Sequence, residues 1–83
     1  MRLFNSNSLK DKRSLRSSII KKIQNRYNIA IAEVGDQDVH NSLLLACANV
    51  SYDQVNLEKT YYSILDFIET YDLEVYETDY LEY

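Results

Sequence analysis

Eighty-three residues with 46% hydrophobic side chains, one glycine and no proline suit one small domain and exclude a disordered or repeat-built chain. No apolar run approaches the roughly 20 residues of a membrane span, and no apolar leader opens the chain, so a cytoplasmic location is the expectation. The net charge of −4 conceals a strong polarity: residues 1–28 carry eight bases against Asp11, whereas residues 60–83 carry seven acids and no base.

Residues 1–7 can supply only three or four strand residues. Ser8 then offers a side-chain oxygen to the first turn of a helix, with Asp11 three residues on, as in a capping box. The helix is predicted over 9–27. Leu15, Ile19, Ile23 and Tyr27 recur at four-residue spacing, Ile20 widens the stripe, and Lys10, Arg13, Lys21 and Lys22 fall mainly on the other side. Arg16 projects near the apolar stripe and must snorkel or meet a polar group.

A strand over 28–34 follows, with Ile29 and Ile31 on one face and Ala30, Ala32 and Val34 on the other. Residues 35–42 are a polar connection. The nearly continuous apolar run of 43–51 reads as a second strand. Asp53 is placed to cap a helix over 54–70, whose buried stripe is Leu57, Tyr61, Ile64, Leu65 and Ile68. A last strand is expected over 73–80. With a short leading strand, the order becomes β-α-β-β-α-β, the ferredoxin-like split βαβ, an α+β fold with two helices on one face of an antiparallel sheet.

The blocks Ser8-Leu9-Lys10-Asp11-Lys12-Arg13-Ser14, Arg26-Tyr27-Asn28-Ile29-Ala30-Ile31-Ala32-Glu33-Val34 and Gln37-Asp38 together resemble the YlxP-like family, a bacterial domain-of-unknown-function family. The resemblance runs from about Leu3 to Leu81. It implies a small ferredoxin-like domain and no established activity or catalytic residue. It also hints at a translation-related role, because members often sit in genomes beside ribosome-maturation and translation factors. Relative to that family, the first strand here is largely missing. The expectation is a start annotated too late or a degraded copy, ahead of a functional short form.

Enzyme chemistry finds little support. His40 with Glu33, Asp36 and Asp38 is a weak metal set, better read as a turn whose side chains satisfy its backbone. One glycine cannot build a phosphate loop, and neither Ser42 nor Ser51 sits in a nucleophile elbow. No cofactor and no metal are expected. Cys47 reads as a small hydrophobe in a reducing compartment.

The basic helix carries the main functional expectation. Lys10, Lys12, Arg13, Arg16, Lys21, Lys22 and Arg26 could meet backbone phosphates of RNA or the ribosome. Glu33, Gln37 and Asp38 form a second candidate patch through their match to the family motif. The blander reading pairs Glu33 with a helix-one base such as Arg26 or Lys22. The competing functional class is a homodimeric interaction module, in which a second subunit covers the sheet face the helices leave open. The C-terminal tyrosines Tyr71, Tyr76, Tyr80 and Tyr83 could add to such an interface.

Overall fold

The chain is α+β, and its computed structural model describes residues 1–4, 6–71, 73–75 and 78. In chain order these form β1 (Arg2–Leu3), α1 (Leu9–Arg26), β2 (Ala30–Gly35), β3 (Leu44–Ala48), α2 (Gln54–Ile68) and β4 (Leu73–Glu74).

Both helix starts follow from their caps. Ser8 Oγ accepts the Asp11 backbone N–H at 3.2 Å, and Asp11 Oδ2 accepts the Asn7 N–H at 3.2 Å. The reciprocal bond thus reaches one residue further out than a standard capping box. Asp53 Oδ1 accepts from the Val55 N–H at 3.1 Å and opens α2 in the same way.

The strands form two antiparallel ladders, β1 with β4 and β2 with β3. A single bridge, Arg2 opposite Ser42, links them. Around it, the Leu3 N–H donates to Asn41 O and the Leu43 N–H to Met1 O, each at 2.8 Å. The neighbours of β1 are thus β4 and the entry to β3, but a two-residue strand is too short to knit one continuous sheet. The expected ferredoxin-like sheet is present only as these two linked ladders. Of the strand expected over 73–80, Leu73–Glu74 is paired, while positions 76, 77, 79 and 80 lie outside the described residues.

One core unites all six elements. Leu3, Ile19, Ile23, Ile31, Leu43, Ile64, Ile68 and Leu73 are buried together. Leu15, Ile20, Tyr27, Leu45, Phe67 and Tyr71 pack around them. Ile19 and Ile64 therefore share one hydrophobic layer, as the two helical stripes require. Burying such side chains contributes about 1.5–3 kcal/mol each before chain entropy is offset. The opposite face of the β2–β3 ladder is open: Ala30, Val34, Leu44, Ala46 and Ala48 are exposed there.

Candidate functional site: a buried ionic cluster beneath a basic helix

The polar centre of the molecule lies where α1 crosses β2. Lys12 is only 1% exposed, although it was grouped with the phosphate-contacting bases by charge alone. Its Nζ stands 2.9 Å from Glu33 Oε2 and donates to the Asp36 carbonyl. Arg16 Nη1 donates to Glu33 Oε1 at 3.0 Å, and the Glu33 side chain is 6% exposed against 31% for Arg16. Oε2 meets the Lys12 ammonium as an ion pair and accepts no aligned hydrogen bond. Burial by itself would push the Glu33 carboxyl up, but the two cations outweigh it and hold the group below the ordinary glutamate range.

Local geometry explains the pairing. The chain reverses at Tyr27 and runs back along α1. Six extended residues from Tyr27 to Glu33 cover about 20 Å at ~3.3 Å per residue, the rise of about 13 helical residues. Glu33 therefore arrives beside the first half of α1, where Lys12 and Arg16 share a face. The expected partners Arg26 and Lys22 lie at the wrong end of the helix.

Beyond Glu33 the strand bulges, so that Glu33 faces Leu45 while Gly35 faces Leu44. Asp36 follows with φ 55°, a left-handed conformation that Asp tolerates better than most residues. Its carbonyl accepts from the Val39 N–H at 3.0 Å as well as from Lys12, and its Oδ2 accepts from Ser42 Oγ at 2.8 Å. The turn is thus tied at both ends, and it holds Gln37 and Asp38 out in solvent. The three motif residues do not converge, because Glu33 points inward under α1.

His40 Nδ1 lies 3.0 Å from the Ser6 carbonyl, across the molecule's other loop. Among the described residues no group of three His, Cys, Asp or Glu side chains gathers around a common point. Cys47 is exposed, and desolvation pushes its thiol up, opposite to the depression that activates a nucleophile.

The remaining cations divide into two sets. Lys22 lies over the Tyr71 ring at 5.7 Å, and Arg26 over the Tyr27 and Phe67 rings at 5.9 Å, along the border with α2. Lys10, Arg13 and Lys21 are exposed on the outer face. At 100° per residue, Lys10, Ser14, Ser17, Lys21 and Gln24 fall on one stripe, with Arg13 and Asn25 at its margins. Lys10 and Lys21 stand about 16 Å apart along it. Among the described residues no acid pairs with Lys10, Arg13 or Lys21.

Sequence reasoning missed Lys12 and Asp36 as partners of the cluster. A signal for Lys12 was present: positions 12, 16, 19 and 23, spaced four, three and four, make one helical stripe, and two of them are the buried isoleucines.

These elements define a small α+β domain built around an intramolecular ionic cluster, with a basic helix turned outward. The chain belongs to the family described as "Protein of unknown function (DUF503)", whose model matches residues 1–80. It is 33% identical over 69 residues to the "Uncharacterized protein YlxP" of Bacillus subtilis (strain 168), covering 83% of this chain and 75% of that protein. No solved structure matches it.

Proposed function

We propose that this protein is a non-enzymatic accessory factor that contacts RNA, free or within the ribosome, through the outer face of α1. One observation carries the reading. The fold sorts the helix-one bases by environment, taking Lys12 and Arg16 inward to Glu33 and leaving Lys10, Arg13 and Lys21 outward with no counter-charge among the described residues, on a chain of net charge −4. Ser14, Ser17, Gln24 and Asn25 between them are residue types that donate to phosphate and sugar oxygens. Lys22 and Arg26 flank the stripe and remain exposed, since a ring contact near 6 Å leaves an ammonium or guanidinium free to meet a phosphate. The contacts are to backbone, so binding is expected to tolerate sequence changes and to weaken steeply with salt.

Retention of labelled RNA on a filter at low salt tests this directly. The wild-type chain retains it, and Lys21→Glu with Lys22→Glu abolishes retention. A wild-type protein that retains no RNA at low salt refutes the proposal.

A homodimeric interaction module is the competing reading, and one observation favours it. β3 exposes apolar and small residues, Leu44, Ala46, Cys47 and Ala48, in a stretch from 43 to 52 that carries no charge.

A further inference from the structure

We infer that the notch between the end of α1 and the start of α2 receives one unpaired base of a single-stranded RNA. The inference rests on the RNA reading above and deepens it, giving the strand a seat for a base beside the contacts to its backbone. The notch follows from how the β2–β3 ladder ends. Its last pair is Ala30 opposite Ala48. Beyond that pair the ladder is open, and the first turns of α2 line the gap. The result is a cavity of about 230 Å³, open to solvent on one side, whose walls include Tyr27, Asn28, Asn49, Ser51, Asn56 and Thr60. Asn56 and Thr60 stand one turn apart on α2. The Tyr27 hydroxyl is hydrogen-bonded with Ser63 Oγ, which ties that wall to α2.

Size and chemistry select the occupant. The volume falls below the roughly 300–1,000 Å³ of sites for drug-sized ligands, so it suits one flat ring system rather than a whole nucleotide. None of the lining residues is charged, and a phosphate would find no cation inside. The carboxamides of Asn28, Asn49 and Asn56 each offer donors and an acceptor, and among the described residues none of them has a hydrogen-bond partner. Unstacked bases present the same mixture of donors and acceptors along their edges. A carboxamide can turn either end to its ligand, so the site asks for an unpaired base rather than a particular one. The mouth distinguishes a base from a neutral sugar or a peptide amide. Arg26 is exposed there, next to Tyr27 in the chain and over its ring at 5.9 Å, placed to meet the phosphate of a seated nucleotide. Tyr52 follows Ser51 with its ring fully exposed, a free face for stacking. The acid beside it, Asp53, is committed to the Val55 N–H at 3.1 Å. A cation, a free aromatic ring and a neutral amide-lined seat are the parts from which single-strand sites are built.

The chain has no tryptophan, so Tyr52→Trp installs a sole indole reporter at an exposed position. Oligouridine of about 12 nucleotides should quench its emission by stacking, and a duplex RNA of equal length should not, because its bases are already paired. Asn49→Ala with Asn56→Ala changes two exposed side chains and should keep the circular dichroism of the wild type. It should weaken oligouridine retention about tenfold while leaving the salt slope unchanged, since hydrogen bonds and no ionic contacts are lost. If neither RNA is retained at low salt, the RNA reading and this inference fall together. If RNA is retained, yet oligouridine leaves the indole unquenched and the double variant binds it as the wild type does, contact through α1 stands and the base seat is overturned.

Discussion

Replacing Glu33 by Gln keeps the shape of the buried cluster and removes its only negative charge. The Lys12 ammonium would then sit 1% exposed with neutral acceptors alone, the Asp36 carbonyl and the new amide oxygen, and no counter-charge. Arg16, 31% exposed, can turn to water, so its share is that of a surface pair, about 0–1 kcal/mol. Lys12 cannot follow without opening the α1–β2 junction. Stranding one partner of a buried pair costs about 3–5 kcal/mol. A domain of this length is stable by only about 4–12 kcal/mol in total. At about 4–8 °C per kcal/mol, thermal unfolding followed by circular dichroism should show a midpoint at least ~12 °C below wild type. The double variant Lys12→Met with Glu33→Leu removes both charges and fills the space with apolar groups, so it should be markedly more stable than Glu33→Gln alone. A Glu33→Gln midpoint within about 4 °C of wild type, or a double variant no better than the single one, would refute the assignment of this cluster as the junction's polar anchor.

Acid stability follows from the same group. The Glu33 carboxyl titrates lower folded than unfolded, so its contribution is fully present above the usual glutamate value of about 4.3 and is lost as pH falls through the folded value. Urea midpoints should therefore drop below pH ~4 in the wild type and less steeply in Glu33→Gln. Ser8→Ala removes the acceptor for the Asp11 N–H and should cost about 1 kcal/mol in denaturant titration; a neutral result would show that the first turn of α1 does not depend on its cap. Ile19→Ala opens a cavity in the layer shared with Ile64 and should cost about 2–5 kcal/mol, whereas Ser17→Ala on the exposed face should stay within about 0.5 kcal/mol.

The helices were legible because both signals that define them are local. Ser8 and Asp53 mark the starts, and the four-residue recurrence of Ile19, Ile23, Ile64 and Ile68 marks the buried faces. Strand existence was legible for the same reason, but strand extent was not. Residues 49–51, Asn-Val-Ser, fall within the expected strand yet leave the ladder, because the polar Asn49 and Ser51 break the apolar run and β2 offers no partner beyond Ala30 opposite Ala48. The division of the helix-one bases needed tertiary information. Charge alone treats Lys12 and Lys10 alike, although one faces Glu33 and the other faces water. The reach of an extended chain returning along a helix would have identified the right end of α1 for Glu33. The left-handed backbone at Asp36, which turns its carbonyl to Lys12, has no counterpart in periodicity or composition.

The salt dependence of RNA affinity in the wild type and in Lys10→Gln/Arg13→Gln/Lys21→Gln tests the functional claim most directly. Each lost phosphate contact should flatten the slope of log affinity against log salt by about 0.7 on single-stranded RNA, so the triple variant should lose about two units of slope while its thermal midpoint stays near wild type. Equal slopes for the two proteins would contradict a role for the outer face of α1 in contacting RNA.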